Sequence, residues 1–110
     1  MISTAEFGKM KKGIVIVNTA RGAVMDEAAL VAALDDGTVS SVGLDVFENE
    51  PAIEQGLIDN PRVILLPHMG TWTVETIKKM EECVIGNVRR ALTEGKLVTI
   101  VPEQKAMGWE

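Results

Sequence analysis

The sequence contains few of the residues that several kinds of site require. It has one cysteine, Cys83, so it cannot form an internal disulfide, and we expect a reducing compartment, the cytoplasm. Its one histidine, His68, cannot form a cysteine–histidine cluster for zinc, and we expect no metal. The net charge of −5 gives no basic surface for a polyanion, so we expect no nucleic-acid partner.

Long apolar segments and one glycine motif are missing too. No run approaches the ~18 consecutive apolar residues of a membrane-spanning helix, and the first residues do not resemble a secretory leader, so we expect no membrane partner. No G-x-G-x-x-G motif occurs, so the sequence lacks a dinucleotide phosphate loop of its own. The length of 110 residues suits one small domain at most.

The hydrophobic pattern predicts strands alternating with helices. Three apolar segments predict β-strands, at residues 14–18, 41–46 and 63–66. Four segments predict helices: residues 4–10 after a Ser3–Glu6 capping box, 27–35 after an Asp26 N-cap, 53–58, and 74–94 with apolar residues at spacings of three and four. We expect the tail from residue 96 to contain one short apolar stretch, at residues 97–101, and then to be extended or loose.

The order of these segments predicts an α/β fold. Because helices separate the strands, we expect parallel pairing with right-handed crossovers, and all three strands then end at one edge. The uninterrupted apolar runs at residues 14–17 and 63–66 are typical of strands buried on both faces. Such a sheet needs helices on both sides. The sequence has too few, so we expect the chain to be part of a larger protein.

Each predicted strand is followed by a side chain suited to acid–base chemistry or anion binding. Arg21 follows the first strand, Asp45 and Glu50 lie at and beyond the end of the second, and His68 follows the third. We expect them to converge, since open α/β sheets bind ligands at the carboxyl ends of their strands. A guanidinium suits a carboxylate, and a histidine beside a carboxylate can deliver a proton to a carbonyl oxygen. Together they predict a small 2-oxo acid as substrate.

Each of these residues also has a structural alternative. Arg21 can cap carbonyls or pair with a surface acid, and His68 can be an ordinary loop residue. Glu50 can be a solvated charge, and Asp45 can form a turn. Taken singly, the structural alternative is favoured for His68, Glu50 and Asp45. Their occurrence at successive strand ends favours a shared site.

Three motifs carry a resemblance to a known family. They are MKKGIVIVNTARGAVMD at residues 10–26, GLDVFENEP at residues 43–51 and LPHMGT at residues 66–71. The order and spacing of these three motifs resemble those of the D-isomer-specific 2-hydroxyacid dehydrogenase family. The likeness covers nearly the whole chain, is weakest in the last dozen residues, and is greatest to glyoxylate/hydroxypyruvate reductases.

The resemblance implies a fold, a division of the chain and an activity. The fold is the C-terminal half of a Rossmann-type doubly wound parallel sheet, with three strands, flanking helices and a long C-terminal helix. Residues 1–94 would be part of the NAD(P)-binding domain, including the long helix that returns to the substrate domain, and residues 95–110 would be a C-terminal tail. The implied activity is hydride transfer between NAD or NADP and a small 2-oxo or 2-hydroxy acid such as glyoxylate or hydroxypyruvate, in a homodimer.

The resemblance also implies roles for individual residues. Arg21 would bind the substrate carboxylate and carbonyl, and His68 would be the general acid in reduction and the base in oxidation. Glu50 would pair with His68, and Asp45 would lie near the nicotinamide. The implied cofactor-binding set is Thr19, Ala20, Arg21, Asp45, His68 and Gly70.

A second hypothesis follows from what the family has and this sequence lacks. The family's glycine-rich phosphate loop and separate substrate domain do not occur in these 110 residues. The chain would then be a truncated, catalytically silent piece that acts only within a larger assembly. In that case we expect an exposed sheet edge and apolar helix faces.

Overall fold

The computed structural model describes residues 1–108. Helices and strands alternate in the order α1 (Thr4–Phe7), β1 (Ile14–Asn18), α2 (Glu27–Asp35), β2 (Val39–Leu44), α3 (Gln55–Ile58), β3 (Val63–Leu65) and α4 (Val74–Glu94). Short 3-10 helices lie at Gly22–Val24 and Pro102–Met107. The predicted order is confirmed.

Some predicted boundaries were wrong. The strand β2 begins two residues earlier than predicted and ends before Asp45, and α1 and α3 are shorter than predicted. The tail after residue 101 was predicted to be extended or loose, but it contains a 3-10 helix with Pro102 in its first turn, a position that tolerates proline's missing N–H. The last two residues of that tail lie outside the described part of the chain.

The helix starts agree with the predicted capping residues. The Glu6 carboxylate accepts the Ser3 backbone N–H at 3.0 Å and the Ser3 hydroxyl at 2.8 Å. The Asp26 carboxylate accepts the Ala29 N–H at 2.9 Å and so caps α2. These bonds satisfy amides that have no partner inside the first turn of a helix.

The contacts divide the chain into two compact units, Met1–Gly70 and Thr71–Glu110. The first unit contains all three strands, and the second contains α4. The assignment of residues 1–94 and 95–110 to parts of a larger enzyme stays a prediction.

The sheet of the first unit is parallel throughout, as predicted. Its strand order is β1-β2-β3, with Val17 paired to Gly43 and Val42 paired to Val63. At the carboxyl ends, Asn18 pairs with Leu44, and Leu44 pairs with Leu65. All three strands therefore end at one edge, and the segments that carry Arg21, Asp45 and His68 leave the sheet there.

One face of this sheet carries the core. Leu30 and Leu34 of α2 are fully buried, together with Val39 of β2 and Leu57 of α3. Burying a side chain of this size stabilises the fold by about 1.5–3 kcal/mol. The predicted core stripe of α2 is confirmed by Leu30, Ala33 and Leu34.

The prediction that β1 and β3 are buried on both faces was wrong. Val15, Val17 and Ile64 are 62%, 72% and 68% exposed, while Ile14 and Ile16 are partly covered. The strand β1 is an edge strand, and α2 and α3 pack against the other strands of the same sheet. An apolar run does not by itself distinguish two covered faces from one covered and one bare face.

The second unit has the exposed apolar helix face that was expected. No residue of α4 is buried, and Val84, Val88 and Leu92 are 62%, 55% and 83% exposed. The helix ends at Gly95, whose φ of +66° is the left-handed conformation that glycine adopts without a Cβ penalty. Within residues 1–108, no helix combines the length and apolar character that crossing a membrane requires.

Because one sheet face is buried and the other exposed, a valine-to-threonine substitution should affect the free energy of unfolding differently on the two faces. In the 110-residue chain we expect Val39→Thr to lower the free energy of unfolding by about 1–3 kcal/mol, because Val39 is fully buried and a hydroxyl there is desolvated. We expect Val17→Thr to change it by less than about 0.5 kcal/mol, because Val17 is exposed. Urea unfolding followed by circular dichroism measures both. An equal loss in the two variants would show that the second face is covered.

Candidate active site

Asn18 shapes the segment that presents Arg21. Its side chain is 6% exposed, and its Oδ1 accepts the Ala20 N–H at 3.1 Å. Its Nδ2 donates to the Arg21 carbonyl at 3.1 Å. The chain therefore turns as soon as β1 ends, and Thr19, Ala20 and Arg21 are exposed. Sequence reasoning missed Asn18, although asparagine directly after an apolar strand is a turn-forming residue.

Gly22 allows this turn to lie directly against the segment that follows β2. A Cβ at position 22 would lie 1.9 Å from the carbonyl carbon and oxygen of Phe47, so only glycine fits without moving the backbone. The Asp45 N–H also donates to the Asn18 carbonyl at 3.0 Å. Backbone contacts thus hold the Arg21 segment and the acidic segment side by side.

Glu50 and His68 are in direct contact. The distance from His68 Nδ1 to Glu50 Oε2 is 2.8 Å, and Glu50 Oε1 accepts the Phe47 N–H at 3.0 Å. The hydrogen bond from His68 lowers the pKa of Glu50 below its ordinary value, and the Phe47 N–H and the charge of Arg21 lower it further. Because an ionised carboxylate only accepts hydrogen bonds, Nδ1 carries the proton in this contact, and Nε2 is the nitrogen that can exchange a proton with a substrate.

His68 has an unusual backbone conformation that Asp45 stabilises. Its φ is +54°, in the left-handed region that costs a non-glycine residue about 1–3 kcal/mol. Asp45, which is 4% exposed, accepts the N–H of Met69 at 2.6 Å and that of Gly70 at 2.7 Å, one on each carboxylate oxygen. Asp45 therefore ties the end of β2 to the two residues after His68. Its implied place near the nicotinamide stays a prediction.

Arg21 keeps most of its donors available. Its Nη1 donates to the Ala20 carbonyl at 2.8 Å, which is the carbonyl-capping alternative, and among residues 1–108 no acid lies within 4.0 Å of it. The side chain is exposed, and its charge acts on Glu50. A guanidinium has five N–H donors, so this arrangement leaves a fork for an incoming carboxylate.

A cleft of about 200 Å³ borders the Glu50–His68 pair. Its lining residues are Phe47, Glu50, Pro51, Ile53, Pro67 and His68. Four of these six are apolar, so the cleft places the pair beside a surface that favours the carbon skeleton of a small molecule over water.

The residues that the resemblance assigns to cofactor binding include three small ones at the strand ends. Thr19, Ala20 and Gly70 are exposed beyond the strand ends, where open α/β sheets bind such ligands. The sequence has no glycine-rich phosphate loop, so these 110 residues offer no cradle for a pyrophosphate, and the implied contact of the three residues with the nicotinamide end stays a prediction. Within the described part of the chain, no three His, Cys, Asp or Glu side chains are grouped to hold a metal ion.

Comparison with known proteins identifies the family. Residues 1–70 match the sequence profile described as D-isomer specific 2-hydroxyacid dehydrogenase, NAD binding domain. The chain belongs to this family. The dehydrogenase match ends where the first compact unit ends, and all the predicted site residues lie within it. The profile confirms the expectation that a nicotinamide dinucleotide is the cofactor.

Similar proteins support the same conclusion for this dehydrogenase chain. It is 65% identical over 105 residues to 4-methyl-2-oxopentanoate reductase A of Aspergillus oryzae, an alignment of 96% of this chain and 32% of that protein. Its structure resembles a glyoxylate reductase from Paecilomyes thermophila, with a TM-score of 0.91, 60% identity, and coverage of 94% of this chain and 32% of that one.

A second similar structure was solved with ligands. It is an NADPH-dependent glyoxylate/hydroxypyruvate reductase from Sinorhizobium meliloti in complex with NADP and malonate, with a TM-score of 0.88, 38% identity, and coverage of 93% of this chain and 32% of that one. The fold is thus that of Rossmann-type dehydrogenases, as expected. The chain spans about a third of the length of the curated relatives it matches.

The Glu50–His68 contact predicts a measurable pKa difference. We expect the pKa of Glu50, measured by carboxyl ¹³C NMR, to lie below its ordinary value and to rise toward it in His68→Asn, because the His68 hydrogen bond is the largest cause. A carboxyl with a lowered pKa stabilises the fold above its ordinary pKa. That contribution is lost as the pH falls through the lowered pKa.

Ser3→Ala is the matched control for this measurement. The hydrogen bond from Ser3 is the largest cause of the lowered pKa of Glu6, so this variant should raise the pKa of Glu6 and leave that of Glu50 unchanged. A Glu50 pKa that does not respond to His68→Asn would contradict the contact.

The Asp45 carboxylate predicts a local change in hydrogen exchange. We expect Asp45→Asn to lower the free energy that protects the Met69 and Gly70 amides from hydrogen exchange by about 1.5–3 kcal/mol. The reason is that the new NH₂ group faces an N–H that had a charged acceptor. Asp59→Asn makes the same change at an exposed site and should leave these two amides unaffected. Unchanged exchange at both amides in Asp45→Asn would refute the role given to Asp45.

Proposed function

We propose that the protein that carries this chain reduces small 2-oxo acids, such as glyoxylate or hydroxypyruvate, to the corresponding 2-hydroxy acids with NADH or NADPH. The observation that carries the proposal is the 2.8 Å contact between His68 Nδ1 and Glu50 Oε2, next to the available guanidinium of Arg21. A bound nicotinamide nucleotide supplies the hydride in reduction and accepts it in oxidation. The names of similar proteins, among them a 4-methyl-2-oxopentanoate reductase and a glyoxylate reductase, support this class of substrate.

Arg21 orients the substrate. Two parallel N–H···O bonds from its fork fix the plane of the substrate carboxylate, and the positive charge also attracts the neighbouring carbonyl oxygen. Charge develops on that oxygen as the carbonyl carbon is reduced, so a fixed cation beside it stabilises the transition state more than the bound substrate.

His68 transfers the proton. In the reductive direction, Nε2 donates its proton to the carbonyl oxygen while the carbon receives the hydride, and in oxidation Nε2 takes the proton back. Glu50 holds Nδ1 and so fixes the ring, and its lowered pKa keeps it ionised and able to stabilise the imidazolium.

The remaining residues hold the cofactor and the assembly. We place Thr19, Ala20 and Gly70 along the nicotinamide end, with Arg21, Asp45 and His68 bordering it. Residues 1–94 belong to the NAD(P)-binding domain in this proposal, and residues 95–110 form a tail. A homodimer is supported by the exposed apolar residues of α4, and a cytoplasmic location by the single, exposed Cys83.

The bare sheet face favours a second candidate for the isolated polypeptide. Val15, Val17 and Ile64 are exposed, and no glycine-rich loop is available for a pyrophosphate. On this view the 110 residues alone are catalytically silent and act only as part of a larger assembly. An assay of both the 110-residue chain and the full-length protein separates the two candidates. It measures turnover of glyoxylate, hydroxypyruvate and 4-methyl-2-oxopentanoate with NADH and with NADPH.

The proposed roles predict different kinetic losses in the full-length protein. We expect His68→Asn to lower kcat by about 100- to 10,000-fold, because no group then donates the proton. We expect Arg21→Lys to lower kcat/KM by about 10- to 100-fold, because an ammonium cannot form the paired bonds of a guanidinium. Initial rates measured over a range of 2-oxo acid concentrations give both constants.

Arg89→Lys is the control for the arginine substitution, since Arg89 is an exposed residue of α4 and is not one of the proposed site residues. It should leave both constants within about twofold. Full activity in His68→Asn would overturn the assignment of the proton donor.

A further inference from the structure

The buried carboxylate of Glu27 is outside the machinery described so far. Glu27 opens α2 and is 8% exposed, although charged side chains are rarely buried without a partner of opposite charge. Among residues 1–108, no lysine or arginine nitrogen lies within 4.0 Å of it. A charge in this position needs other partners, and these lie in the segment that carries Glu50.

The partners of Glu27 are backbone amides on both sides of Glu50. Its Oε1 accepts the Glu48 N–H at 2.7 Å, and its Oε2 accepts the Glu54 N–H at 3.2 Å. In return, the Glu48 carboxylate accepts the Glu27 N–H at 3.3 Å. One carboxylate therefore joins residues 48 and 54 to the start of a helix whose Leu30 and Leu34 are fully buried.

Glu50 has few other restraints. It is exposed, and its described hydrogen bonds are the one from Phe47 and the one with His68. Its neighbours Glu48, Asn49 and Pro51 are exposed as well. The path of the backbone between residues 48 and 54 therefore decides where the Glu50 carboxylate meets the imidazole. Inside this segment the Ala52 N–H donates to the Asn49 carbonyl at 3.0 Å, and Glu27 binds the amides at both of its ends.

We propose that Glu27 is a positioning residue, which holds the 48–54 segment so that Glu50 meets His68 Nδ1. This inference rests on the proposed function, because it concerns the same proton transfer. Glu27 does not touch the substrate or the imidazole. It acts through Glu50, and its loss displaces the Glu50 carboxylate while the residue itself remains.

A double-mutant cycle in the full-length protein tests this role. The variants are Glu27→Gln, Glu50→Gln and the two combined, assayed with the 2-oxo acid and cofactor that the full-length protein turns over fastest. Because displacement of a catalytic contact by about 1 Å costs about 100-fold, we expect Glu27→Gln to lower kcat by about 10- to 100-fold, with KM changed by less than about threefold. In the Glu50→Gln background we expect it to lower kcat by less than about threefold, since the contact it positions is already lost.

A spectroscopic readout accompanies the kinetics. The imidazole ¹⁵N signals of His68 are assigned by their absence in His68→Asn, and we expect Glu27→Gln to move them toward their positions in Glu50→Gln. Glu75→Gln is the matched control, because Glu75 is also an acid in the first turn of a helix but is exposed. It should change neither kcat nor the His68 signals. If Glu27→Gln does not fold, Glu27→Asp keeps the charge at the helix start but is one methylene too short to reach both amides, and the same coupling is expected.

The outcomes separate this proposal from the proposed function. Equal losses of kcat from Glu27→Gln in the two backgrounds, or unchanged His68 signals, would overturn the positioning role while leaving the proton transfer intact. An unchanged kcat in Glu50→Gln would overturn the role of Glu50, and the positioning role with it, whereas His68→Asn tests the proton donor itself.

Discussion

Hydrogen bonds from backbone N–H groups to carboxylates hold the segments of this site together. Asp45 binds the amides that follow His68, Glu27 binds amides on both sides of Glu50, and Glu50 binds the Phe47 amide with its second oxygen. Hydrogen bonds to an ionised acceptor are roughly twice as strong as neutral ones, and a backbone amide has no side-chain freedom to lose. The Glu50–His68 pair, although half-exposed, can therefore have a fixed geometry, because the Glu27 and Asp45 carboxylates that hold its segments are buried.

The three acids of this arrangement differ in burial, in a chain whose net charge is −5. Asp45 and Glu27 are buried, and their charge is balanced by N–H dipoles rather than by lysine or arginine. Glu50 is exposed and is left to meet the imidazole. Arg21 stays without an acidic partner within 4.0 Å among the described residues, which leaves its charge available to an anionic ligand.

One face of the sheet is apolar but exposed. Val15, Val17 and Ile64 are as apolar as the residues on the covered face, yet they are exposed. Apolar surface of this kind favours association, because burying it removes about 25 cal/mol of unfavourable hydration per Å². Together with the exposed stripe of α4, it suits a chain that spans about a third of its relatives' length.

Local sequence determined much of this protein. The order of the elements, the caps at Ser3 and Asp26, and the helices Glu27–Asp35 and Val74–Glu94 follow from periodicity and capping residues, which act over a few residues. The parallel pairing follows from the helices between the strands, and the meeting of Glu50 with His68 was implied by the resemblance of the motifs. Only the tertiary structure decided which face of the sheet is covered, that Gly22 lies against the backbone of Phe47, and that Glu27 and Asp45 bind amides 21 to 27 residues away in the sequence. How the chain packs decides which amides these carboxylates bind. The local sequence does not distinguish a carboxylate that binds a distant amide from one that is hydrated.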